Sequence, residues 1–214
     1  SSAASDVYKR QEGYFALTGR QVRAPFDFGD PIYQDASGKP EGAGKNNYNH
    51  MTLWASDNTG LHNLFHLSSL ASLEGQYYNP RFDFELLERY GKGLIGTTGC
   101  PSGVVNRWLQ AGQYQKALEA AATFRDILGQ DNFFVELMDH DIPIEKATRD
   151  DLLRIAKELS LPLVATNDLH YVHEHDAPVH EAMLCVQTRT NLNDPKRFKF
   201  DGTSFYLKSS EEMR

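Results

Sequence analysis

The sequence predicts an α/β fold, a parallel sheet or barrel in which short apolar strands alternate with amphipathic helices. Two observations lead there. Strand-like and helix-like periodicities alternate from Met51 to Asn167, as in sheets built from strand-helix-strand units. Two of the strands, GLIGTT and PLVATN, run into polar residues of metal-ligand type: Cys100 after the first, Asp168 and His170 after the second. A barrel of parallel strands gathers such ends around one mouth, where residues distant in sequence can share a metal.

Taken in order, SSAASDVYKRQ has neither the apolar core of a signal peptide nor the alternation of an entry strand. It resembles a translated library adapter, so residues 1–11 are set aside as a non-native leader. EGYFALTG reads as the end of a strand, and the Gly/Pro/Asp-rich stretch from Arg20 to Asn47 as a long surface loop. NHMTLWAS is a strand with Met51, Leu53 and Ala55 on one face. TGLHNLFHLSSLASL follows as a helix with Leu61, Leu64, Phe65 and Leu67 at helical spacing.

FDFELLERY is a short helix capped by Asp83, and GLIGTT is a strand. PSGVVNRWLQAG reads as a helix with Pro101 in its first turn and Gly112 at its close. QYQKALEAAATFRDILG is an amphipathic helix, NFFVEL a strand, and PIEKATRDDLLRIAKELS a helix with Pro143 near its start. After PLVATN comes the helix HDAPVHEAMLCVQT. The segment from Asn193 holds a turn and a strand, and Ser209, Ser210 and Glu212 look like the start of another helix. No internal repeat, low-complexity tract or linker divides the chain.

With 214 residues, 40% of them hydrophobic, the chain can bury a sizeable core. A formal charge of −7 argues against gripping nucleic acid through the chain's own basic surface. Two cysteines are too few for a disulfide framework, and no apolar run approaches the roughly 20 residues of a membrane span. A reducing, cytoplasmic setting without a membrane is the expectation.

A thiolate, a carboxylate and an imidazole together suit zinc or a similar transition ion, whereas magnesium and calcium prefer oxygen alone. Asp168-Leu169-His170 is either a ligand pair, both side chains pointing to one side of an extended segment, or a capping Asp beside a surface His. Cys100 is either a ligand or a small buried hydrophobe, and its place just before Pro101 favours function, since a helix N-terminus stabilises a thiolate. His50 begins its strand, so the strand-end rule does not select it. Glu12, taken by itself, is a solvated charge. His62 and His66 have the i, i+4 spacing of a zinc helix but lack the following Glu, and read as surface residues. His173, His175 and His180 read as a polar loop and a capped helix start, with His173 able to line the mouth. His140, after NFFVEL, is a candidate for supporting a ligand from behind. Cys185, on an apolar helix, reads as core.

Several long strings, among them NLFHLSSLASLEGQ, TTGCPSG, ELMDH, ATNDLHY, HEAMLCVQT and RFKFDGTSFYLKSSEEMR, together resemble the N-terminal polymerase-and-histidinol-phosphatase (PHP) domain of the bacterial replicative DNA polymerase III alpha subunit family. The resemblance runs from Glu12 to Arg214. It implies an incomplete, distorted, TIM-like (β/α)7 barrel over residues 12–208, with 209–214 starting the connection toward a polymerase palm.

It also implies a ligand set: Glu12, matched to the Glu of the family's G-V-E-x-Y segment; His50, opening an H-L-T-like strand; Cys100; and the pair Asp168 and His170, which would also be catalytic. His140 and His173 would support them. Zinc or manganese would occupy a multinuclear site, with magnesium reserved for a polymerase site outside this chain, and metals about 3.5–4 Å apart would generate a hydroxide and stabilise the leaving oxygen in phosphodiester hydrolysis for 3′-to-5′ proofreading. The implied partners are a DNA primer-template and replicase subunits such as the sliding clamp. The family's earlier His-x-His, Leu-Asp-Gly and Thr-Asp-His-Gly-Asn motifs do not precede Glu12, so the chain is expected to be truncated and inactive by itself. In family members with degraded ligand sets the domain is a non-catalytic scaffold. A free-standing PHP phosphatase acting on an ester such as histidinol phosphate is the other alternative, and the tail from Arg197 to Arg214 argues against it.

Overall fold

The computed structural model describes residues 49–76 and 80–213. The expected leader at 1–11, the expected strand end at 12–19 and the expected loop at 20–47, with Glu12 among these positions, lie outside the described residues.

Four short strands form one sheet in the order β1 (Leu53–Ala55), β2 (Leu94–Thr97), β3 (Phe133–Leu137), β4 (Leu163–Ala165). The pairs β2–β3 and β3–β4 are parallel, as strands joined through crossover helices must be. β1 is antiparallel to β2, with Leu53 opposite Gly96 and Ala55 opposite Leu94. The sheet is therefore mixed, not all-parallel, and among the described residues it is an open arc, not a closed barrel.

The helices follow from capping and periodicity. Asp57 accepts a hydrogen bond from Gly60 N (2.8 Å) and starts α1 (Asn58–Leu73). The buried seam of α1 is Gly60, Leu67 and Ala71, while Leu61 and Phe65 face outward, so the apolar stripe is rotated from the expected face. Asp83 caps α2 (Phe84–Tyr90) through Leu86 N (2.9 Å). α3 (Val104–Gln110) starts three residues after Pro101, with Gly103 as its N-cap. Pro101 thus belongs to the preceding turn and not to the helix.

α4 (Tyr114–Leu128) and α5 (Pro143–Leu159) are the two long amphipathic helices, and Pro143 begins α5 where its missing N–H is no loss. α6 (Ala177–Thr188) follows a short 3-10 turn and buries Leu184 and Cys185.

Helices α4 and α5 pack on the sheet, α1 lies against β1 and β2, and α3 packs on α4 and α5. Leu94, Phe133 and Val135 are at most 1% exposed on one face of the sheet, packed with Val105, Phe124, Leu128 and Ile155. Alternation sends Ile95, Thr97, Phe134, Glu136 and Val164 to the other face, which is half-buried along the strands and turns polar and buried at Thr97 and Glu136. The polar end is the carboxyl end of the parallel strands, where open α/β sheets carry their sites.

No strand forms in the tail, where one was expected. The tail instead touches the segment after β4 through an isolated parallel bridge, Tyr171 to Tyr206, with His170 N donating to Phe205 O (2.8 Å) and Leu207 N to Val172 O (3.2 Å). The expected helix start is present as a reciprocal cap: Ser209 N and Oγ donate to Glu212 Oε2 (2.8 and 2.7 Å) and Glu212 N donates to Ser209 Oγ (3.4 Å).

Candidate functional site

The turn after β2 is built to present Cys100. Gly99 has φ +73°, a left-handed conformation that costs any other L-residue, and a Cβ on Gly103 would stand 2.3 Å from Thr98 O. The buried Asn106 amide donates to both Gly99 O and Cys100 O (3.1 Å each), and Gly103 N donates to Cys100 O (2.8 Å). Both carbonyls are thereby held from inside the fold, leaving the half-exposed thiol on the outer side of the turn.

His50 is brought to that thiol by the antiparallel strand. Because β1 runs against β2, the residues before β1 lie beside the residues after β2. His50 N donates to Ser102 O (3.1 Å), and His50 Nδ1 lies 3.7 Å from Cys100 Sγ. The strand-start position of His50 is thus the site end of the sheet. The helix N-terminus expected to stabilise the thiolate starts only at Val104, so the imidazole is the group beside the sulfur.

Asp168 and His170 follow β4 at the same end of the sheet. His170 Nδ1 lies 2.6 Å from Asp168 O and 3.9 Å from Asp168 Oδ1. A carbonyl only accepts, so Nδ1 is the donor, and in the neutral ring that arrangement leaves the lone pair on Nε2, the nitrogen open to a metal. The ring is boxed by Phe200 at 4.6 Å and Phe205 at 5.8 Å, both edge-on, and by His180 at 5.3 Å. Burial and the neighbouring His170 hold His180 below the usual histidine range.

His140 supports this corner through the tail. Its Nδ1 lies 2.7 Å from Glu145 Oε1, its backbone N donates to Glu145 Oε2 (2.8 Å), and its ring stacks on Phe205 at 4.3 Å and 9°. Phe205 in turn receives the backbone N–H of His170. The exposed His173 does something else: it caps the turn before α6, its backbone N donating to Asp176 Oδ2 (3.0 Å), and its ring stacks on His175. His62 and His66 are exposed on α1, His66 stacking on Tyr90. Asp139 pairs with Arg149 (3.0 Å) at the surface, and the Asp141 amide, with Arg149, keeps its carboxyl below the usual range.

One central group was not among the sequence candidates. Glu136, 6% exposed on β3, accepts from Thr97 Oγ1 and Thr166 Oγ1 (2.5 Å each), while its own N–H donates to Thr98 Oγ1 (3.0 Å). The signal was a lone carboxylate in the apolar strand FFVEL, on the face opposite Val135.

The structure thus forms two pairs, His50 with Cys100 and Asp168 with His170, at the ends of the strands that flank β3. Among the described residues no three His, Cys, Asp or Glu side chains converge on one metal position.

Fold and site together define an α/β domain with ligand-type residues at the carboxyl end of its sheet, and the PHP domain profile matches residues 8–140. The chain belongs to the PHP domain family. It is 50% identical over 206 residues to DNA polymerase III subunit alpha of Saccharopolyspora erythraea and 52% identical over 205 residues to that of Mycobacterium tuberculosis, covering 95% of this chain and 17% of each relative. With DNA polymerase III subunit alpha of Treponema pallidum it shares 42% identity over 166 residues, 78% of this chain and 14% of the relative. The chain spans about a sixth of the length of the curated relatives it matches. No helix among the described residues is long and apolar enough to cross a membrane.

Proposed function

We propose that this chain is the PHP portion of a bacterial replicative DNA polymerase III alpha subunit, and that in the whole protein this portion is a metal-dependent phosphoesterase that proofreads DNA 3′ ends. The observation that carries the proposal is the meeting of His50 and Cys100, 50 residues apart, at the same end of the sheet as Asp168 and His170, with β3 between the two pairs. The open sheet is read as an arc of a distorted (β/α)7 barrel.

The donor set fits a transition ion. A thiol and two imidazoles beside a carboxylate suit zinc better than magnesium, with manganese the other ion the family resemblance implies, and with His170 Nδ1 turned to the Asp168 carbonyl, Nε2 would be the nitrogen that binds. Cys100 and His50 would hold one side of the site, Asp168 and His170 the other, with Glu12 as a further ligand. Bound divalent ions supply Lewis acidity at a phosphoryl oxygen and acidify attacking water. Asp168 and His170 would orient the scissile phosphate, with the Phe200 and Phe205 rings edge-on to the imidazole. The acidic balance of the chain is then tolerable for a DNA substrate, because bound cations would reverse the local field. A primer-template, the sliding clamp reached through other parts of the whole protein, and a cytoplasmic setting complete the proposal.

A second reading, a non-catalytic PHP scaffold, is favoured by the absence of a three-ligand cluster among the described residues. The whole alpha subunit carrying this segment separates the two. A nuclease trims a labelled, mismatched primer 3′ end with zinc or manganese, and Asp168→Asn or Cys100→Ser abolishes trimming while primer extension continues. A scaffold gives no trimming at any metal concentration, and that result would reject the nuclease.

A further inference from the structure

We propose that Glu136 is a positioning residue: a carboxylate clamped between Thr97 and Thr166 that sets the distance between the Cys100 arm and the Asp168–His170 arm of the site. The inference rests on the proposal above that both arms serve one site, but its geometry stands without a metal.

The three strands are tied at their carboxyl ends by side chains as well as by the ladder. Thr97 is the last residue of β2 and Thr166 the first after β4, and each hydroxyl donates to a different oxygen of the one carboxylate between them. The tie continues outward. Thr97 Oγ1 accepts from Gly99 N (3.2 Å), the residue before Cys100, so movement of the carboxylate moves the turn that presents the thiol. On the other side only Asn167 separates Thr166 from Asp168, and Asn167 Nδ2 donates to Tyr206 O (2.5 Å), fastening that arm to the tail that boxes His170.

A purely stabilising role would not need this chemistry. A buried carboxylate is costly unless its lone pairs are filled, and an apolar residue would pack the same space at lower cost. Both carboxylate oxygens accept, so the one side chain fixes the donor direction of both hydroxyls at once. Thr97 Oγ1 is then left to accept from Gly99 N. The result is a directional chain of bonds from the Cys100 turn to the strand end carrying Asp168.

The test reads one arm while perturbing the other. In the 214-residue chain, Cys100 is half-exposed and Cys185 is buried, so the rate of modification by a small thiol reagent reports the Cys100 turn. Thr166→Val, on the far side of β3, and Glu136→Gln are expected to change that rate about tenfold, the effect of losing one bond to a charged acceptor on local opening. Thr166→Ser, which keeps the hydroxyl, is expected to restore the native rate. Ile155→Val in the helix layer, a destabilising control, is expected to leave it unchanged. Native rates in both Thr166→Val and Glu136→Gln would overturn the proposal, as would an equal change in Ile155→Val. Competition with a chromophoric chelator for zinc, run on the same proteins, keeps the two questions apart: altered thiol rates in a chain that binds no zinc would reject a metal site held by this chain's residues alone and support the clamp.

Discussion

His50 Nδ1 stands 3.7 Å from Cys100 Sγ because the first strand of the sheet runs antiparallel to the second. In the proposed metal site the pair would provide one nitrogen and one sulfur donor, half of a tetrahedral coordination shell. Cobalt(II), a spectroscopic substitute for zinc, should therefore give a thiolate-to-metal charge-transfer band when added to the reduced chain. Cys100→Ser should remove the band, and Cys185→Ser should leave it, since Cys185 is 5% exposed on the inner face of α6. A band that survives Cys100→Ser would place the metal elsewhere.

Much of this arrangement was legible in the residues, and the parts that were not share a cause. Asp83, Pro143 and the periodicity of α4 and α5 mark helices through local chemistry, and those helices form where expected. The direction of β1 is a pairing property, set by which backbone lies beside it, and alternation reads the same in either direction. His50 therefore looked misplaced. Glu136 was overlooked for a related reason: its partners Thr97 and Thr166 lie 39 and 30 residues away, and nothing local announces that two hydroxyls will meet it. Pro101 misled because a proline before an apolar run fits a first helical turn, whereas Gly103 starts the helix.

The two glycines of the Cys100 turn should differ in cost. Gly103→Ala places a methyl group 2.3 Å from the Thr98 carbonyl oxygen, a backbone atom that cannot swing away. A loss of about 3 kcal/mol, the upper range for overpacking, is expected. Gly99→Ala meets nothing closer than 3.6 Å and suffers only the left-handed backbone strain, about 1–2 kcal/mol. Urea denaturation of the two variants measures both values, and equal losses would contradict the close contact.

Glu145 carries two bonds from one residue, the ring and the backbone N–H of His140, in a site where both residues are less than a tenth exposed. Glu145→Ala should cost about 3 kcal/mol, because two buried groups lose their acceptor at once. The effect should also reach His170, since His140 stacks on the Phe205 that receives the His170 N–H. In nitrogen-15 spectra of the imidazoles, the His170 resonances are expected to shift or broaden while those of His62 and His66 on α1 stay in place. Unmoved His170 signals would show that the tail holds the imidazole without help from His140.

Acid should act on the tail through Glu212. Its carboxylate accepts from Ser209 N and Oγ and from Tyr206 OH, and these bonds, those to Ser209 foremost, push its pKa down to about 2 from a reference of 4.5. A carboxyl depressed in the folded state stabilises it above the unfolded value and loses that contribution as pH falls through the folded value. The Ser209–Glu212 cap should therefore persist at pH 4, where a free glutamate is largely protonated, and dissolve only as pH approaches about 2. The amide resonances of Ser209 and Glu212 follow this directly. In Glu212→Gln the same resonances should lose their acid transition, because the amide does not titrate. A transition centred near the reference value in the native chain would mean that the cap does not hold the carboxylate. In that case Tyr206, whose carbonyl receives the Asn167 amide beside Asp168, would lack its anchor on the far side of the tail.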